Sequence, residues 1–424
     1  MLRVEQLTAI EILDSRARPT LAVTVTLTGG TTARAGVPSG ASTGTREATE
    51  LRDGDPDRYN GAGVLQAVSH VNGEIADRVR GRDFTDLAEL DAALIALDAT
   101  PNKSRLGANA IVGVSIAVAR AVAAAAGQPL WQSLQPAHVT ARTPVPHFNV
   151  VNGGVHAPND LDFQEFMIAP LGAPSLAEAV RAGAEIYAAL RRHLAAKGYT
   201  TGLGDEGGFA PQITAPEEVL ALLVTAIEDA GYHPGRDGVA IAMDPASSEF
   251  YRGGAYHVAG ETLSTDDMIE RYAQMAKHYP VWLLEDGLAE SDWDGWVALT
   301  ERLGDTLTLV GDDLLCTNPA IIAEAITRHA GNAALIKVNQ IGTVTETLEA
   351  MRLCRDAGWA QFVSHRSGET GDTFIADLAT SSGCGLIKSG APARGERVAK
   401  YNRLIEIETT DRLPYGRNSR TKPD

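Results

Sequence analysis

The chain has 424 residues, of which 37 are basic and 54 acidic, for a net charge of −17. That balance excludes nucleic acid and anionic membrane as main partners, because both need basic patches to neutralise phosphate. The length exceeds one small domain, and 44% apolar residues are too many for a disordered chain.

In chain order, residues 21–27 alternate with β-branched residues, and Gly29-Gly30 supplies a hairpin turn before residues 31–37, so the chain opens on strands. Helical patterns follow over 63–79, 87–97 and 107–126. The stretch 106–127 is alanine-rich, but Asn109 and Arg120 within it point to a buried helix and not a membrane span. The segment 129–146 holds four prolines and reads as a boundary, dividing an α+β part, residues 1–138, from residues 139–424. Ser175 caps a helix running to Ala196, and another helix covers 216–230. Short apolar strands then recur at 239–243, 281–284, 307–310, 334–338, 362–364 and 386–387, with helices at 266–277, 319–329, 344–357 and 396–407. Such βα repeats favour a closed parallel barrel over an open doubly wound sheet, giving an α/β fold with a small α+β domain in front of a TIM-like barrel. Cys316, Cys354 and Cys384 are too scattered for a disulfide framework or a zinc site, and no signal pattern opens the chain, so it reads as cytosolic.

Each late strand has ionisable residues at or near its end. Asp244 follows one strand, Glu285 and Asp286 the next, Asp312 and Asp313 the third. Lys337 sits inside 335–338; His365, Arg366 and Ser367 follow 362–364; Lys388 follows 386–387. One Asp after a strand is usually a turn former, and one Lys in an apolar run usually snorkels. Six in order match the way barrel enzymes draw catalytic groups from the carboxyl ends of different strands. The carboxylates Asp244, Glu285 and Asp312 suit Mg²⁺. The cations Lys337, Arg366 and Lys388 would face an anionic substrate on the other side, with Arg366 and Ser367 as a phosphate clamp. A lysine beside a metal and a second lysine should have a depressed pKa and could act as a base. Two glycine-rich loops, 37–44 and 204–209, complete the set; the second carries Glu206.

These residues lie in long motifs: EILDSR at 11–16, VPSGASTG at 37–44, NGG at 152–154 with His156, QEFMI at 164–168, GDEGGFAP at 204–211, VGDDL at 310–314, KVNQIG at 337–342, SHRSGET at 364–370 and ERVAKYN at 396–402. The chain resembles the enolase family over nearly its whole length. The resemblance implies a barrel that begins in ββαα order, two Mg²⁺ ions per site, a homodimer or higher homo-oligomer, and reversible dehydration of 2-phosphoglycerate, a small phosphorylated anion, to phosphoenolpyruvate. It implies Asp244, Glu285 and Asp312 as ligands of one Mg²⁺ and Ser42 as a ligand of the other. Lys337 would be the base and Glu206 the acid, with Glu165 beside it and His365 in the same catalytic set. Arg366 and Ser367 would bind phosphate, Lys388 the carboxylate, and His156 and Gln164 would line the pocket. The chain departs from the family pattern at Ala17-Arg18, His147-Phe148, Ala188, Gly371 and Gly395, which raises as the alternative an enolase-like enzyme acting on a phosphonate analogue, such as a carboxyphosphonoenolpyruvate synthase.

Overall fold

The computed structural model describes residues 2–41 and 44–416. Strand β1 (Leu2–Leu13) alternates, burying Leu2, Val4, Leu7 and Ala9 between exposed neighbours. It pairs antiparallel with β2 (Pro19–Leu27), which pairs with β3 (Thr32–Gly36). The short β4 (Asp83–Phe84) closes a four-stranded sheet of order β3-β2-β1-β4. The helix expected over 63–79 is α1 (Leu65–His70) and α2 (Ala76–Val79), joined by a π turn at Val71–Ile75. After α3 (Leu87–Asp98) comes α4 (Ala108–Ala125), the alanine-rich stretch, buried on nearly every face. It lies on β2 and β3 and also touches barrel helices, so its apolar surface faces protein on all sides. A Cβ on Gly113 would meet Val23 at 2.6 Å, so glycine lets this helix close onto the sheet.

After α5 (Leu130–Leu134) the barrel begins with β5 (Val145–Asn152) and β6 (Glu165–Ala169), followed by α6 (Leu176–Ala196), α7 (Pro216–Asp229) and β7 (Ala240–Asp244). A small meander of β8 (Tyr251–Arg252), β9 (Ala255–Val258) and β10 (Glu261–Leu263) interrupts the repeat. Regular units then follow: α8 (Thr265–His278), β11 (Val281–Glu285), α9 (Trp293–Leu303), β12 (Thr308–Gly311), α10 (Pro319–Arg328), β13 (Ala333–Ile336), α11 (Val338–Ile341), α12 (Val344–Asp356), β14 (Ala360–Ser364), α13 (Phe374–Ser382), β15 (Leu386–Lys388) and α14 (Gly395–Asp411).

The barrel is closed in the order β11-β12-β13-β14-β15-β5-β6-β7. It is not all parallel, as the repeat had suggested: β6 runs antiparallel to both β5 and β7. The reason is the connection. Residues 153–164 carry no crossover helix, and only antiparallel neighbours can be joined without one. The opening is therefore ββαα. The interior is filled by side chains such as Met167, Trp282, Leu335 and Phe362, so polar chemistry is confined to the rim. Lys337 is not inside a strand: β13 stops at Ile336, and Lys337 stands at the rim before α11.

Candidate active site

Strands β7 and β11 end on Asp244 and Glu285, and β15 ends on Lys388. Because β6 runs backwards, its first residue, Glu165, pairs with Asp244 and reaches the same rim. All four side chains are buried. The Nζ of Lys388 donates to Glu285 Oε1 at 2.7 Å, to Asp244 Oδ2 at 3.2 Å and to Glu165 Oε2 at 3.2 Å. The expected separation of carboxylates from cations is thus corrected. Ring closure brings the late cationic strand among the early acidic ones.

The same intermixing holds at Asp312. Its Oδ2 accepts from Lys337 Nζ at 2.5 Å and its Oδ1 from Gln340 Nε2 at 2.7 Å. Asp286, at φ +42°, accepts from the backbone N–H of Asp312 at 2.8 Å and of Asp313 at 2.9 Å, which fixes the turn carrying Asp312. Burial pushes Lys337 down, but Asp312 outweighs it and holds the lysine above its ordinary value. The expectation of a depressed lysine rests on a metal and a second lysine as its neighbours; among the chain's own groups the nearest charge is the Asp312 carboxylate. Burial also works against protonated Lys388, yet Glu165, Glu285 and Asp244 hold it well up.

The acidic wall fits a hard divalent cation. Burial and then the Asp244 charge push Glu285 well above the carboxylate range, and its Oε2 is buried without a hydrogen bond among the described residues. Asp244, Glu285 and Asp312 offer only hard oxygen donors, the chemistry such a cation needs. Ser42 lies outside the described residues.

A second group forms where the loop holding Glu206 folds against β5. Gly207, at φ +89°, makes the turn, and Tyr187 donates to its carbonyl at 2.6 Å. Atoms of His156, Glu165 and Glu206 lie within 4.8 Å of one another. Burial and the neighbouring Glu206 charge push Glu165 well up; burial opposes, but His365 and His156 hold Glu206 well down. The two neighbouring carboxyls are thus pushed in opposite directions, Glu165 toward its protonated form and Glu206 toward its ionised form. Burial drives His365 down to about 3, against the pull of Glu206.

Arg366 and Ser367 follow β14 at the rim and are buried. The guanidinium is held as a fork by Glu47, at 2.9 and 3.2 Å, with Asn339 Oδ1 at 3.0 Å. Gln164 is buried beside β6, with Oε1 unbonded among the described residues. Apart from Ser42, every expected site residue thus lies buried at or beside the rim. Sequence reasoning missed Glu47, Gln340 and Asn149, which carry no periodic signal, and noted Asp286 at a strand end without a role; Glu47 lies three residues beyond the glycine-rich loop, which alone hinted at it. Of the departures, His147 is in the barrel interior between Trp282 (ring centroids 5.3 Å apart) and Phe362 (4.6 Å). It packs against these rings, and in strand register it stands beside Lys388.

A family model described as the N-terminal domain of enolase matches residues 4–134, and one described as the enolase C-terminal TIM barrel domain matches residues 140–421. The chain is 55% identical over 402 residues to the enolase of Rubrobacter xylanophilus, covering 94% of this chain and 93% of that protein.

Proposed function

The chain belongs to the enolase family, and from that premise we infer how its residues divide the reaction. It is a phosphopyruvate hydratase, a lyase that reversibly dehydrates 2-phosphoglycerate to phosphoenolpyruvate. The phosphonate alternative is not favoured, since the likeness to an enolase spans nearly the whole of both chains.

A divalent metal belongs to the reaction; we assign it as two Mg²⁺ ions. Asp244, Glu285 and Asp312 would hold the first, and Ser42 would complete the second. When bound, the metal would supply positive charge where the substrate carboxylate gains its second negative charge, and Asp312, as one of its ligands, would no longer hold Lys337 up. Lys337 takes the proton beside the substrate carboxylate. Hydroxide is a poor leaving group, so a proton must reach it. We assign the supply of that proton to the neighbouring Glu206 and Glu165, with His156 and Gln164 lining the same side. Arg366 and Ser367 bind the phosphate, for which a planar fork suits a tetrahedral dianion. Lys388 faces the substrate carboxylate.

The observation that carries this reading is the presence of a lysine, a pair of neighbouring carboxyls and a fork-held arginine around one rim. We place the division between the front domain and the barrel at 138/139, and assign the protein as a cytoplasmic homodimer or higher homo-oligomer. The ultraviolet absorbance of the enol product tests the activity. A Mg²⁺-dependent rise with 2-phosphoglycerate is expected; its absence in folded protein would refute the assignment.

A further inference from the structure

The motif at 396–402 has no part in the chemistry above, yet its arginine enters the site. Arg397 is completely buried. One of its nitrogens, Nη1, donates to the carbonyl of Arg366 at 2.5 Å, and Nη2 donates to that of Ser367 at 2.5 Å. Longer contacts of 3.4 Å reach Ser15 Oγ and the carbonyl of Asp205. Glu396 Oε1 lies 3.3 Å from its Nε. The guanidinium is therefore fixed in place by main chain from both loops that frame the site. Its Nη1 also lies 2.6 Å from His365 Nδ1.

A guanidinium has only donors and keeps its charge at any physiological pH. Nδ1 of His365 must then be the acceptor, and a neutral imidazole carries its one proton on Nε2. That Nε2 lies 3.2 Å from Glu206 Oε2. The same oxygen accepts from Asn149 Nδ2 at 2.9 Å. With the Asn149 N–H bonded to it and His365 Nε2 facing it at 3.2 Å, outside hydrogen-bond geometry, Oε2 is the oxygen less able to hold a proton of its own. Oε1, 3.7 Å from His156 Nδ1, is the oxygen left.

We infer that Arg397 is a positioning residue that locks His365 as the Nε2–H tautomer and so confines the transferable proton of Glu206 to Oε1. The opposite tautomer would present a bare Nε2 to Glu206, which would put the acid proton on Oε2 and aim it at the histidine instead of the leaving hydroxyl. This rests on the reading of Glu206 as part of the acid pair. Arg397 acts through His365 and Glu206 and touches no reacting atom.

The test has two arms. In the first, ¹⁵N spectra of histidine-labelled wild-type protein without metal, assigned with His365→Asn, are expected to show Nε2 protonated and Nδ1 bare from about pH 6 to 8. A protonated Nδ1 overturns the lock, and this arm needs no arginine variant to fold. In the second, metal-loaded Arg397→Met is compared with wild type for exchange of the substrate C2 hydrogen with D₂O and for dehydration. Loss of about 100-fold or more in dehydration is expected, with exchange and KM within about threefold, because only the acid half of the reaction is disturbed. Parallel loss of exchange and dehydration would mean a merely structural role and overturn the inference. If wild type itself neither exchanges nor dehydrates, the functional reading fails, while the spectra still decide the tautomer.

Discussion

The ammonium of Lys388 stands 2.7 Å from Glu285 and 3.2 Å from Asp244, between two of the carboxylates assigned to the metal. It is thus the internal counter-charge of the acidic wall. Replacing it by methionine would leave Asp244, Glu285 and Glu165 facing one another in a buried space. Removing one partner of a buried pair costs about 3–5 kcal/mol. Metal-free Lys388→Met should therefore lose stability on that scale, and Mg²⁺ should raise its melting temperature more than it raises that of wild type. An equal or smaller Mg²⁺ effect in the variant would remove the case for a shared site.

Lys337 is bonded to Asp312 at 2.5 Å and is the one lysine placed to act as the base in the assignment above. Lys337→Ala is expected to reduce kcat by about 100-fold or more, the usual scale for a positioned general base. It should also abolish C2 hydrogen exchange, which separates it from Arg397→Met. Exchange that persists in a folded variant would reassign the base.

Asp244, Glu285 and Lys388 were legible because each closes a short apolar strand, and a buried charge in that position is too costly to be accidental. Strands β5 and β6 were not found by pattern. All eight residues of β5 are buried, polar His147, Asn149 and Asn152 among them, so neither alternation nor an unbroken apolar run marks it. Whether charges of opposite sign segregate or mix was also beyond the sequence. It depends on ring closure, which sets β15 beside β5 and carries Lys388 among the residues of β6, β7 and β11. Arg397 fell inside a helical pattern, where a buried guanidinium gives the same signal as a solvated one.

Ala17 stands where enolases commonly have glycine, and its φ is +58°. The turn is held by Asp14, whose Oδ1 accepts from the backbone of Arg16 at 2.8 Å and of Arg18 at 2.9 Å. A left-handed alanine costs about 1–2 kcal/mol, and glycine returns about 0.4–1 kcal/mol of that through its looser unfolded chain. Ala17→Gly should stabilise the protein by up to about 1 kcal/mol in urea unfolding, with kcat unchanged. A destabilised variant would show that the turn is not strained.

Asp91 ties the front domain to the barrel. From α3, its Oδ2 accepts from Ser115 Oγ at 3.0 Å on α4, and from Thr345 N at 3.1 Å and Oγ1 at 2.6 Å on α12. Its Oδ1 is buried with no hydrogen bond among the described residues. Burial pushes the carboxyl from the usual 3.8 up to about 6, against the pull of Thr345 and Ser115. A folded-state pKa above the unfolded one means the folded protein binds the proton more tightly. Stability from this group is then full below the unfolded value and is lost as pH rises to about 6, by about 3 kcal/mol in total. Asparagine keeps an oxygen for the same three donors and does not ionise. Comparing Asp91→Asn with wild type by denaturant midpoint, the stability difference should move by about 3 kcal/mol in favour of the variant between about pH 4 and pH 8. The absolute offset depends on the buried amide N–H, which costs about 1–3 kcal/mol at either pH, so the change with pH is the quantity that decides. A difference that does not vary with pH would mean that Asp91 is no harder to ionise in the folded protein than in the unfolded one.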